Sequence, residues 1–134
     1  MDHTAERFVK WEPTRGLPRV LDPKSIAQDF GKNGGLHISL VEPYAGGKAF
    51  RIDFARALAF RSANESFRLK VLESLRNELP SPTFNVEDSE WVQWFHDQTF
   101  GAYRDWPVKH FLFIGEDVIE VLSSEAPAFV EIQD

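Results

Sequence analysis

Four histidines, His3, His37, His96 and His110, are the side chains of this chain best suited to move protons or ligate a metal near neutral pH. No two of them stand in a His-x-x-x-His or comparable ligand spacing, so a metal site would have to be assembled in three dimensions, and none is assigned. His96 is followed by Asp97, and an imidazole beside a carboxylate could act as a general base. Adjacent helix positions point about 100° apart, however, and a polar helix face explains the pair more simply. The cluster Gly31-Lys32-Asn33-Gly34-Gly35 precedes an extended segment, whereas a phosphate cradle follows a strand and opens a helix, so it reads as a turn. No serine lies in a Gly-x-Ser-x-Gly elbow, and the absence of cysteine removes thiol nucleophiles and disulfides together. The carboxylate pairs Glu116-Asp117, Glu87-Asp88 and Asp22 with Asp29 could supply a glycosidase acid and base. Acids in turns and at helix starts have cheaper explanations in capping and solvation. The expectation is no catalytic residue, no cofactor and no metal.

Charge and aromatic content point elsewhere. The last 51 residues of the 134 carry eleven acids against Arg104 and Lys109, leaving −9 there and +3 in residues 1–83, for a net −6. The same stretch holds ten of the eighteen aromatic side chains. An acidic surface threaded with Trp, Tyr and Phe suits a basic protein partner better than nucleic acid. The densest basic run, Arg51, Arg56, Arg61, Arg68 and Lys70, is read as a solvated strand face, with Arg56 and Arg61 answering carboxylates of the C-terminal part. No stretch approaches the roughly 20 apolar residues of a membrane span, and residues 1–10 lack the basic start and apolar run of a secretory signal. The expectation is a cytoplasmic protein that binds neither nucleic acid nor membrane, with a homodimer open as an alternative use of its aromatic surface.

These residues need elements to hold them. Residues 1–10 are read as a flexible N-terminus, and residues 11–35, rich in Pro and Gly, as an ordered wrapping segment with a turn of helix near Ser25 to Phe30 and apolar anchors at Trp11, Val20, Leu21, Ile26 and Phe30. Leu36, Ile38 and Leu40 alternate with polar neighbours, as do Phe50, Ile52 and Phe54, which predicts an antiparallel hairpin; a bend is expected around Ala55 to Ala57. A helix capped by Ser62 or Asn64 runs to about Asn77 and ends before Pro80 and Pro82, and a second runs from Asp88 or Ser89 to Gly101. His110–Ile114 and Val118–Leu122 form the clearest hairpin, and a last strand spans Ala128–Ile132. Strands in hairpins with two helices between them predict one α+β domain. Its antiparallel sheet should have five or six strands with both helices on one side, a partly closed barrel being the competing arrangement.

Trp11-Glu12-Pro13, Arg51-Ile52-Asp53-Phe54 with Phe60-Arg61, Asp88-Ser89-Glu90-Trp91 leading to Trp94-Phe95-His96, and His110 opening a strand followed by Val118-Ile119-Glu120-Val121 together resemble a family of short uncharacterised bacterial proteins. The resemblance covers most of the chain from Trp11 onward. It implies a compact bacterial domain and, through members found in settings suggestive of toxin neutralisation, an immunity-type role, with no functional residues to carry over.

Two functions compete. In the first, an acidic module binds a basic protein through Trp91, Trp94, Glu90, Asp97, Tyr103, Trp106 and His96, with Glu87, Asp88, Asp105 and Glu116 steering the encounter. Trp91, Val92, Trp94 and Phe95 span too many directions for one buried stripe, so Trp91 or Trp94 should face the surface or a pocket. In the second, a small-ligand or catalytic pocket lies between the sheet and the Trp91 to Phe100 helix, with His96, His110 or Arg61 as its polar groups.

Overall fold

A computed structural model describes residues 6–31, 34–44 and 46–132. His3 lies outside them. Alternation sets the first sheet: β2 (Asp22–Gln28), β3 (Leu36–Val41), β4 (Ala49–Phe54) and β9 (Ala128–Ile132) pair antiparallel in that order. The predicted β3–β4 hairpin forms, with Leu36 opposite Phe54 and Ile38 opposite Ile52. The second sheet is also antiparallel, in the order β1 (Arg7–Lys10), β6 (Thr83–Glu87), β7 (Lys109–Ile114), β8 (Asp117–Ser123) and β5 (Ala59–Asn64). The chain is thus α+β, with two antiparallel sheets and two helices, and the sheets do not close into a barrel.

The sheets stack through one face each. Leu36, Ile38, Leu40, Phe50, Ile52 and Phe54 meet Phe111, Phe113, Ile119 and Val121 in one buried cluster, with Trp11 tilted against Phe111 at 5.2 Å. The expected bend is where the chain changes sheets: β4 ends at Phe54, β5 begins at Ala59, and Ala57 N–H donates to Gly34 O between them. The opposite face of the five-stranded sheet carries both helices, α1 (Leu69–Leu75) and α2 (Glu90–Gln98). Leu75 seats α1 in a second cluster with Phe84, Val86, Leu112 and Val118.

Four local expectations are corrected. Residues 7–10 pair with β6 as an edge strand. The turn of helix expected near Ser25 is strand β2, because pairing with β3 seats Ile26 opposite Ile38 and a bulge after Pro23 absorbs the proline. The helix expected from Ser62 or Asn64 starts only at Leu69: β5 continues to Asn64 opposite Asp117, and Asn64 caps a short 3-10 turn, Glu65–Phe67. Residues 83–87, read only as a connection, form strand β6 inside the sheet.

Candidate functional site

On the helix-bearing face, register brings chemistry-bearing residues together from distant parts of the chain. Arg61 of β5 lies opposite Glu120 of β8, and Glu120 lies opposite Leu112, one face position along β7 from His110. Ser89 comes from the tight turn between β6 and α2, where Asp88 reverses the chain at φ 55° and Ser89 caps the helix by accepting from Val92 N–H at 3.1 Å. Ser89 Oγ lies 2.7 Å from His110 Nδ1, and His110 Nε2 lies 2.8 Å from Glu120 Oε1. Glu120 also accepts from Arg61 Nε at 2.8 Å, from Arg61 Nη2 at 3.0 Å and from Arg68 Nη1. The Trp91 indole closes the chain from above, edge-on to the His110 ring at 5.2 Å with the Arg61 guanidinium 4.3 Å from its centroid.

Ser89, His110 and Glu120 are all buried. Burial alone would raise the Glu120 carboxyl pKa, but hydrogen bonds from His110, Arg61 and Arg68 outweigh it and hold the group well below the ordinary carboxylate range. A carboxylate so placed only accepts, so His110 Nε2 carries a proton; with the imidazole neutral, Nδ1 accepts from the Ser89 hydroxyl.

Hydroxyl, imidazole and carboxylate in line have the connectivity of an activated nucleophile. Two features oppose that use. Glu120 already answers two guanidiniums, so its charge is shared among three partners and is not held for the imidazole alone. Ser89 Oγ is also held by its capping bond. The chain is a brace that fixes the side chains above it.

Two concavities flank the brace. A cleft of about 680 Å³ opens beside Ser89 and His110, between Asn85, Val92 and Lys109. A groove of about 1500 Å³ runs between α1 and α2, with Arg61, Arg68 and Trp91 on its floor and Phe67, Leu69 and Trp94 among its walls. These three wall residues are 79%, 67% and 47% exposed, so large apolar side chains stand in water around one depression.

Of the residues singled out in the sequence, Trp91, Trp94 and Glu90 meet in the groove, together with Arg61. Of the two helix tryptophans, Trp94 is exposed and Trp91 half-buried. Asp97 and His96 sit further along α2 and do not line the groove; His96 Nδ1 is buried without a hydrogen-bond partner. Tyr103 and Trp106 pack together with tilted rings at 4.4 Å beyond the end of α2, also outside the groove. The acidic set is partly spent: Arg7 pairs with Glu87 at 2.7 Å and with Asp88 at 3.5 Å, while Arg61 pairs with Glu120 as expected of the C-terminal acids. Arg51 instead pairs within its own strand, with Asp53, and Arg56 makes no ion pair among the described residues.

Sequence reading missed Ser89, Glu120, Arg68, Phe67 and Leu69 as site residues. Glu120 had a signal, a charge in the middle of the apolar run Val118–Leu122, where a strand buried on both faces has no room for an unpaired acid. Among the described residues, no group of three or more His, Asp or Glu side chains could hold a metal ion. No described helix is long and apolar enough to cross a membrane. No protein-family model, no curated protein and no solved structure matches this chain.

Proposed function

We propose that this protein is an acidic protein-binding module, of the kind an immunity-type inhibitor requires, and that it holds a basic protein partner in the groove between α1 and α2. One observation carries the reading: Phe67, Leu69 and Trp94 are exposed together around a groove whose floor is the Trp91–Arg61 stack. Trp and Arg are the residue types most enriched among binding hot spots, and clustered exposed apolar groups mark contact surfaces. At about 1500 Å³ the groove exceeds the roughly 300–1,000 Å³ of small-molecule sites and suits a protein segment. The net charge of −6, concentrated in the C-terminal part, would speed encounter with a basic partner.

The test compares wild type with Phe67→Ala/Trp94→Ala in affinity capture at low and moderate salt, followed by rebinding of the identified, purified partner. A basic protein retained by wild type and weakened at least tenfold by the double variant supports the reading. Recovery of no partner at either salt, or equal binding by the variant, rejects it.

The second reading, a small-ligand pocket, is favoured by the cleft beside Ser89 and His110, whose volume of about 680 Å³ falls within the small-molecule range. Trp91 packs on His110, so a ligand there should change tryptophan emission in a metabolite screen. An unchanged spectrum across the screen would leave the cleft without support.

A further inference from the structure

The two sheets have four edge strands among the described residues, and they are not protected equally. A bare strand edge templates pairing with another strand unless charged side chains, a proline or a bulge blunt it. β1 carries Arg7 and Lys10, β5 carries Arg61, and β2 carries Pro23, Lys24 and a bulge. β9 carries neither proline nor bulge, and its one charged residue, Glu131, stands among the apolar Ala128, Phe129, Val130 and Ile132. One side of β9 is bonded to β4, and among the described residues no strand lies on the other side. Phe129 turns inward against Phe50 at 5.3 Å, whereas Val130 and Ile132, each 39% exposed, sit on the outer face.

We infer that the β9 edge is a self-association surface, at which two copies of this chain join their four-stranded sheets into one continuous antiparallel sheet about a two-fold axis at Val130. The strand is complementary to itself. Antiparallel pairing about Val130 sets the two valines opposite each other, Ala128 opposite Ile132, and Phe129 opposite Glu131, so no like charges meet across the join. The single charge of the strand, Glu131, lies 4.0 Å from Lys48. A five-residue strand alone buries far less than the roughly 1,200–2,000 Å² of a standard stable interface, so the dimer forms only as concentration rises.

The chain has no cysteine, which allows the register to be read by single cysteines. Residues directly opposite in an antiparallel pair have Cα atoms about 4.5–5.5 Å apart, within disulfide reach. Val130→Cys should therefore oxidise to a covalent dimer at least ten times faster than Ile132→Cys, whose two copies would stand about 13 Å apart along the strands. In sedimentation equilibrium from about 1 μM to about 1 mM, the wild-type mass should climb towards twice the monomer. Val130→Lys and, as a second variant at an exposed position of the same edge, Ala128→Lys should hold it at the monomer while keeping the wild-type unfolding midpoint. A wild type that stays monomeric throughout, a dimer untouched by both lysine variants, or equal crosslinking at the two cysteine positions would each overturn the inference. None of these readouts depends on the groove or its partner.

Discussion

Replacing Glu120 by glutamine should destabilise the fold by about 3 kcal/mol at pH 7, and the loss should shrink as the solution is acidified. The side chain is 2% exposed, and its two oxygens accept from His110, Arg61 and Arg68. An amide of the same shape offers one acceptor oxygen, carries no charge and turns its own N–H groups towards one of those donors. Removing one partner of a buried ion pair costs about 3–5 kcal/mol. The Arg61 head is 45% exposed and regains water, which places the expectation at the lower end. Arg61→Ala, which leaves Arg68 and His110 on the carboxylate, should cost only about 1 kcal/mol. The pH dependence follows from the depressed carboxyl pKa, burial being outweighed by three sets of hydrogen bonds. The folded group stays ionised where an unfolded glutamate, near pH 4.3, takes up its proton. Its stabilisation is therefore present above about pH 4.3 and declines below it by about 1.4 kcal/mol per pH unit. The difference between wild type and Glu120→Gln in urea unfolding should fall from about 3 kcal/mol at pH 7 to about 1 kcal/mol at pH 3. A difference that is the same at both pH values, or an Arg61→Ala variant as damaged as Glu120→Gln, would refute the account of the brace.

Phe100→Gly should stabilise the protein by about 1 kcal/mol and raise its calorimetric midpoint by a few degrees, because Phe100 sits at φ 53° with its ring 97% exposed. A lower midpoint would show that the ring makes a stabilising contact. His37 is held between Asp53, 2.7 Å from Nδ1, and Asp29, 3.3 Å from Nε2; the Asp53 hydrogen bond, opposed by desolvation and aided by Asp29, raises its pKa. Its contribution is thus complete below about pH 6.5 and lost as pH rises through the raised folded value. NMR titration should place the His37 midpoint above that of Asp53→Asn, and urea stability should fall more between pH 6.5 and 8.5 in wild type than in that variant. Leu75→Ala empties a fully buried site under α1 and should cost about 3 kcal/mol in urea unfolding, whereas a loss below about 1 kcal/mol would mean that α1 is not anchored there.

What the sequence disclosed follows periodicity. Period-two runs at Leu36–Leu40 and Phe50–Phe54, and the β-branched and aromatic runs His110–Ile114 and Val118–Leu122, announced their strands, and the breaker-free aromatic stretch after Ser89 announced α2. Long-range pairing was hidden. Nothing local in Arg7–Lys10 outweighs its charges, or in Asp22–Gln28 its charges and Pro23, until a partner strand lies alongside. Even α2 ends differently from its apparent signal: Phe100, not the glycine after it, occupies the first left-handed position. The Gly101 N–H then closes the helix on His96 O at 2.8 Å. The site was legible at Trp91, Trp94, Glu90 and Arg61 because each is costly or conspicuous on its own. Ser89 and Arg68 are ordinary in sequence and acquire meaning only through Glu120, which lies 31 and 52 positions away.

Two arginines, a histidine and a buried carboxylate are a poor way to stabilise a sheet face, since apolar side chains of equal volume would do so without the desolvation cost. Their geometric effect is specific. Arg61 cannot rotate towards solvent without giving up two bonds to Glu120, and Trp91 cannot lift from His110 without uncovering the ring beneath it. The groove floor is thereby ordered before any partner arrives. Each long side chain already immobilised spares about 0.5–1.5 kcal/mol of ordering on association. On the proposed reading, Glu120→Gln should therefore weaken partner binding chiefly by loosening Arg61 and Trp91, although Glu120 lies beneath the surface a partner would touch. Trp94→Ala should instead weaken binding by direct loss of contact, leaving the brace and its pH signature intact. If Glu120→Gln proved destabilised yet bound an identified partner as tightly as wild type, the brace would serve the fold alone.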